Sequence, residues 1–355
     1  MKPNLWIFSI EPIESRYTKQ WHQYFPEYLA KHLGNKFNIV QVDGIQKHTE
    51  PTPGAFLNFS DTNYWKSSQL CNFLDHYNNK ETTPTDQFIF TDAWNSTVLQ
   101  LKYMSELLGL SWKFHGLFHA GSWDQHDFLG RLIGDAPWVR NTERALFESF
   151  DYNYFATHFH IDMFKDNLFP EQSISKHKIV RTGWPMEYLP NVLEPYTHAT
   201  KRNLILFPHR IAPEKQVEIF RELAIMLPEY EFVVCQDQKL SKHEYHTLLS
   251  EAKIVFSASL QETLGISWYE GALVKALPMV PNRLSYSEMA LPEFTYPSNW
   301  TESAEHFNQH KSKVAEHIRF LIENYETLLP QLNEQVVKLQ EQFFECKNLL
   351  KILEK

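Results

Sequence analysis

Cysteine is scarce in this chain: Cys71, Cys235 and Cys346 are the only three in 355 residues, widely spaced and odd in number. That excludes a disulfide framework and leaves no zinc-ligand spacing, so the expected compartment is a reducing cytoplasm. Long apolar runs are missing as well. None approaches the roughly 20 residues of a membrane-crossing helix. The apolar stretch over residues 5–10 is too short for a signal peptide, and Glu11 follows it at once. Basic excess is absent too. The net charge is −9, with 17 Lys/Arg against 21 Asp/Glu up to residue 190 and 17 against 22 beyond it. Neither half is an indiscriminate polyanion binder, although a local basic face is compatible with these totals. There is no Asp-x-Asp metal-binding pair, no internal repeat and no low-complexity tract.

Aromatics, by contrast, are abundant. The ten tryptophans read either as flat ring-binding surfaces or as ordinary core packing. The length fits two domains of about 170 residues. Short apolar strands alternate with amphipathic helices in both halves, which predicts an α/β fold with a parallel, doubly wound sheet in each. The expected domains are 1–190 and 200–335, with residues 336–355 forming a C-terminal helix that packs back on the first domain. Residues 188–201 contain Pro190 and Pro195 and no long periodic run, so they read as the linker. In the first half, helices are expected to open near Ser15 and at Asp135, a loop is expected over 43–62, and a strand over 113–118 ends at His119. In the second half, a strand over 203–207 leads through a loop to a helix opening at Pro213 and ending near residue 227. A short helix is expected over 283–289, and amphipathic helices over 304–325 and 328–353.

The most informative stretch is 252–282. A strand over 254–256 runs into a polar loop, 257–265, and a helix opens near Ile266 and stops before Pro278. Free backbone N–H groups at such a helix start favour a phosphate, helped by the positive end of the helix dipole. Gly265 lets the backbone approach closely. Glu262 in the loop and Glu270 in the helix suit the hydroxyls of a sugar and a ribose, because an ionised carboxylate only accepts hydrogen bonds. The plainer reading is a pair of solvent-facing glutamates. Arg210 and Lys215 sit at a strand end and in a helix first turn, where the dipole does not favour cations; an anion in the same place explains them, and an exposed Lys215–Glu214 pair is the alternative. In the first half His119 is the first residue beyond a strand, where ligands of such sheets bind. His115, Asp124, His126 and Asp127 lie near it in sequence, and as a group they are candidate metal ligands, though at no recognised spacing.

These pieces together resemble the retaining GT-B glycosyltransferases of the family-four type. His209-Arg210 followed by Pro213-Glu214-Lys215 is similar to that family's diphosphate-holding motif, and Glu262 and Glu270 to its E-x7-E pair, with Gly265 between them. The segments around His209, Val255–Ala258 and Pro281–Met289 are closest to the tRNA-queuosine mannosyltransferase branch, whose first-domain Phe-His is kept here as Phe118-His119. The resemblance implies a GT-B fold, two Rossmann-like domains facing across a cleft. It implies transfer of a sugar from a nucleotide-diphosphate sugar to a hydroxyl with retention, without a metal or other cofactor. Glu262 and His119 would act at the sugar; Arg210, Lys215, Gly265, Ile266 and Glu270 would hold the donor. The acceptor stays open among queuosine in tRNA, a hydroxymethylpyrimidine in DNA, and a polysaccharide or lipid. A metal-dependent hydrolase built on the cluster from His115 to Asp127, and a non-catalytic sugar-nucleotide binder, are the competing classes.

Overall fold

A computed structural model of the chain describes residues 2–13, 16–47, 58–134, 136–170, 174 and 178–355. Half of the loop expected over 43–62, residues 48–57, and the helix starts expected at Ser15 and Asp135 lie outside the described residues; the end of that expected loop, from Phe59, is already helix. The backbone divides into two compact units, residues 1–185 together with 346–355, and residues 186–345. Among the described residues no helix is long and apolar enough to cross a membrane.

In the first unit strands and helices alternate along the chain: β1 (Asn4–Phe8), α1 (Tyr17–Leu33), β2 (Asn38–Val42), α2 (Phe59–Asn78), β3 (Gln87–Phe90), α3 (Thr97–Leu107), β4 (Lys113–Phe118), α4 (Phe128–Ile133), α5 (Pro137–Ser149), β5 (Tyr152–Phe155), α6 (His158–Leu168) and β6 (Ile179–Arg181). All six strands are parallel, in the order β2-β1-β3-β4-β5-β6. A parallel sheet covered on both faces needs strands that are apolar on both sides; β1 and β3 are buried along their whole length. The filling is aromatic. Phe118 stacks on Phe155 at 5.0 Å, and Trp6 meets Phe73 edge-on at 5.2 Å. Seven of the ten tryptophans are buried, so core packing is the main use of these rings here.

At the amino ends of β1 and β3 the buried Asp86 carboxylate gathers donors that would otherwise be orphaned. It accepts from the backbone N–H of Asn4 (2.8 Å) and Thr83 (3.0 Å), from Trp6 Nε1 (2.7 Å) and from the Thr83 hydroxyl (2.6 Å).

The second unit runs α7 (Leu189–Leu193), β7 (Arg202–Phe207), α8 (Val217–Met226), β8 (Glu231–Val234), α9 (Lys242–Glu251), β9 (Ala252–Phe256), α10 (Ile266–Leu273), β10 (Leu277–Pro281), α11 (Tyr286–Met289), β11 (Thr295–Tyr296), α12 (Ala304–Glu323) and α13 (Tyr325–Gln342). A last helix, α14 (Lys347–Leu353), belongs to the first unit, where it meets α1. The second sheet is also parallel, in the order β11-β10-β9-β7-β8. Each sheet therefore reverses its winding once, between β1 and β3 and between β7 and β9. Ligands of such sheets bind outside the carboxyl ends of the strands at that reversal.

Four local expectations are corrected. Residues 188–201 are not a bare linker: Pro190 sits in the first turn of α7, a favoured place for proline, and Leu189 and Leu193 are buried. Pro213–Lys215 form one 3₁₀ turn rather than the start of α8, because Gln216 is left-handed (φ 53°) and its side chain donates to the Thr301 carbonyl at 2.7 Å. The helix expected over 283–289 starts only at Tyr286, after a left-handed Leu284. The helix expected over 328–353 breaks after Gln342, and the break turns Phe343 and Phe344 inward; Phe344 stacks on Tyr269 at 4.0 Å.

Asp86→Ala leaves buried N–H groups at the sheet edge without acceptors. The expected loss is about 3 kcal/mol of unfolding free energy, read by urea denaturation.

Candidate active site

The carboxyl ends of β7 and β9 carry the charged groups of the second unit. Beyond β7 the chain passes through His209 and Arg210 into the 3₁₀ turn that holds Glu214 and Lys215. Beyond β9 it passes through Gln261 and Glu262 to Gly265, which caps α10. The two loops are bonded to each other. The Leu260 N–H donates to the Glu214 carbonyl at 2.7 Å. Lys215 Nζ donates to the Gln261 carbonyl and, at 3.1 Å, to Glu262 Oε2. Lys215 is buried and the Glu262 side chain is only 15% exposed. The alternative of an exposed Lys215–Glu214 pair is not what forms: Arg210 pairs with Glu214, and Lys215 turns inward to Glu262.

Glu262 is held from both sides. Its Oε1 accepts the N–H of Thr263 (3.1 Å) and of Gly265 (3.0 Å). Burial opposes its ionisation, yet Lys215 and these bonds hold its carboxyl below the usual range. Gly265 is left-handed (φ 71°), and a Cβ there would stand 2.4 Å from the Trp268 ring. No side chain caps α10, so the positive end of its dipole is directed at the same loop. Burial, followed by the Lys215 charge, pushes the pKa of the buried His209 down to about 4, so it is neutral at physiological pH.

Glu270 lies one turn into α10 and is almost fully buried, 9% exposed. Tyr245 on α9 donates its hydroxyl to Glu270 Oε2 at 3.0 Å. Burial raises the Glu270 pKa to about 7, against the opposing effects of Tyr245 and Lys242. Neither glutamate of the pair is a solvent-facing surface residue. Below the loop the half-buried Arg283 spends its guanidinium on backbone carbonyls: Ser259, Ala258 and Ser298, each at 2.8 Å. It ties the segment after β9 to the segment before α12.

In the first unit His119 follows β4. Its Nε2 is 2.6 Å from the Thr91 carbonyl, which can only accept, so Nε2 carries the proton and Nδ1 is the acceptor nitrogen. The Tyr17 hydroxyl stands 3.4 Å from Nδ1, and the Trp184 ring packs at 4.9 Å. Burial lowers the His119 pKa, opposed by the Asp92 charge and the Thr91 bond. Asp92, just past β3, is paired with Lys66 at 3.0 Å, and burial is outweighed there by the Lys66 charge, which keeps its carboxyl below the ordinary value.

The cluster from His115 to Asp127 does not converge. His115 lies inside the sheet, with Nδ1 bonded to the Tyr154 hydroxyl (2.7 Å) and Nε2 to Gln87 Oε1 (3.0 Å). Asp124 and Asp127 accept local backbone N–H groups, from His126 and Leu129. Among the described residues no three His, Cys, Asp or Glu side chains form a metal-holding group. Sequence reading passed over Tyr245 and the structural role of Arg283. A tyrosine in a helix and an arginine in a loop carry no signal of a partner 25 residues away in either case.

No family model and no curated protein matches this sequence. Solved structures do. Sucrose-phosphate synthase from Thermosynechococcus elongatus aligns with a TM-score of 0.62 at 11% identity, over 99% of this chain and 97% of that one. An α,α-trehalose-phosphate synthase (UDP-forming) from Burkholderia vietnamiensis aligns with a TM-score of 0.57 at 9% identity, over 99% and 100%. The catalytic domain of starch synthase IV from Arabidopsis thaliana, bound to ADP and acarbose, aligns with a TM-score of 0.57 at 12% identity, over 99% and 98%. At such identities the likeness is one of fold, and the fold is GT-B.

Glu270 makes a signed prediction. A carboxyl whose folded pKa is raised contributes stability below its unfolded pKa and loses it as pH rises through the folded value. Between pH 5 and pH 8 this group should cost the folded protein up to about 3 kcal/mol. Glu270→Gln should flatten that decline, as read by denaturation at both pH values.

Proposed function

We propose that the protein is a glycosyltransferase that moves a sugar from a nucleotide-diphosphate sugar to a hydroxyl acceptor, with retention at the anomeric carbon. The observation that carries this reading is the shielded Lys215–Glu262 pair at the winding reversal of the second sheet, with Glu270 buried nearby in sequence on α10. A cation, an acceptor carboxylate and an uncapped helix start at one strand end suit a diphosphate that leaves a sugar. Lys215 and Arg210 take the developing phosphate charge, and the N–H groups from Ile266 onward add to it. Glu262 accepts from hydroxyls of the transferred sugar, and Glu270 from those of the ribose. Donor binding exchanges the Lys215–Glu262 bond for a Lys215–phosphate bond and a hydroxyl–Glu262 bond, so no charge is left buried alone. With cations assigned to the leaving group, a metal is not required by this scheme.

The first unit takes the acceptor. His119, with Nδ1 as a neutral hydrogen-bond acceptor, is placed by the reading next to a sugar or acceptor hydroxyl. The similarity of Phe118-His119 and Pro281–Met289 to the tRNA-queuosine branch favours a hydroxylated base in nucleic acid, either queuosine in tRNA or a hydroxymethylpyrimidine in DNA; in a duplex the base must leave the stack.

Thermal-shift and turnover assays against a panel of nucleotide sugars test the donor. One nucleotide family should stabilise the protein equally with and without EDTA. Silence from every nucleotide, with stability lost in EDTA, overturns the reading. Lys215→Ala should lower kcat/KM by about 100-fold and weaken donor binding. His119→Ala should abolish most transfer while keeping donor affinity; an active His119→Ala removes its assigned role. Incubation of the stabilising donor with queuosine-containing tRNA and with hydroxymethylated DNA, read by mass, identifies the acceptor.

A further inference from the structure

We propose that Tyr245 is a positioning residue that makes the second unit selective for ribonucleotides: it fixes one oxygen of Glu270 so that the carboxylate presents its other edge to the vicinal hydroxyls of a ribose. The inference rests on the donor-site reading above and extends it to the residue that sets nucleoside selectivity.

Tyr245 is itself rigidly carried. It lies in the first turns of α9, whose start is closed by a capping box: Glu244 N–H donates to Ser241 Oγ at 3.3 Å, and Ser241 N–H to Glu244 Oε2 at 2.8 Å. The half-buried phenol reaches across to Glu270 Oε2 at 3.0 Å. Burial, with the Glu270 charge beside it, raises the Tyr245 pKa well above the ordinary value, so the hydroxyl keeps its proton and donates. A carboxylate pinned at one oxygen has its plane set. A ribose diol supplies two O–H donors, and a carboxylate of fixed plane can accept both. A 2′-deoxyribose supplies one, leaving an acceptor site unmet in a buried place, which is how sites built for a hydroxyl reject analogues lacking it. Tyr245 and Lys242, both on α9, are the titratable groups that bear on the Glu270 carboxyl, and both favour its ionised form. Removing the hydroxyl therefore moves the pH dependence of ribose binding upward.

The test is calorimetric titration of ADP, GDP, CDP and UDP and their 2′-deoxy counterparts into the parent, Tyr245→Phe, Glu270→Gln and Lys215→Ala proteins at several pH values. Phenylalanine keeps the ring and removes only the hydroxyl. Tyr245→Phe should weaken the best ribonucleotide by about tenfold and its deoxy form by less than about twofold, with the midpoint of the binding–pH curve displaced to higher pH. Equal weakening of both forms, or an unchanged ribose preference while Glu270→Gln loses it, overturns the role of Tyr245 and leaves the donor site standing. Parent-like nucleotide binding by both Glu270→Gln and Lys215→Ala, or no nucleotide binding by the parent, removes the donor site and this inference with it.

Discussion

A buried lysine and a largely shielded glutamate, 47 residues apart in the chain, hold the loops at the carboxyl ends of β7 and β9 together. Each charge would be intolerable there alone: removing one partner of such a pair leaves an uncompensated charge in low dielectric, whereas the pair itself adds little net stability. The consequence is geometric. Glu262 cannot leave Lys215 without another donor to meet it, so the loop after β9 must lie against the turn after β7. With its second oxygen Glu262 accepts the N–H groups of Thr263 and Gly265, and the start of α10 is fixed by the same contact. Arg283 completes the arrangement from below by donating to four carbonyls from one guanidinium.

The two units use one winding scheme for different ends. Both are parallel sheets with a single reversal of strand order, and each carries a shielded ion pair past the carboxyl end of a strand at that reversal, Lys66–Asp92 after β3 and Lys215–Glu262 after β9. Around the first pair the surroundings are aromatic, with Trp21 and Trp184 packed on His119. Around the second they are polar and backbone-rich, with a left-handed glycine and an uncapped helix. Dense ring packing surrounds the first pair, and the positive end of the α10 dipole lies beside the second.

How much of this could be read from the chain depends on the range of the interaction. Alternating apolar runs marked the strands and helices, because burial of both sheet faces demands them. Pro190 misled for a local reason: proline is as much at home in a helix's first turn as in a linker. Gln216 misled because its left-handed backbone goes with a distant partner, the Thr301 carbonyl, that no local pattern announces. Arg210, Lys215, Glu262, Gly265 and Glu270 stand out in the sequence as candidates by their places at strand ends and helix starts. Their pairing does not, because Lys215 has a charged neighbour in sequence, Glu214, and a better one in space.

The sequence by itself determined the class of fold and which residues stand at the carboxyl ends of the strands, since both follow from periodicity and from the order of elements. The tertiary structure alone decided the strand order, and with it the reversal that brings the loops after β7 and β9 side by side. It also decided that His115 is spent inside the sheet, that Tyr245 bonds Glu270 and that Arg283 bonds the Ala258 carbonyl. The physical reason is the same for each: hydrogen bonds and ion pairs between distant segments are chosen by desolvation, and desolvation is a property of the packed molecule, not of any stretch of chain.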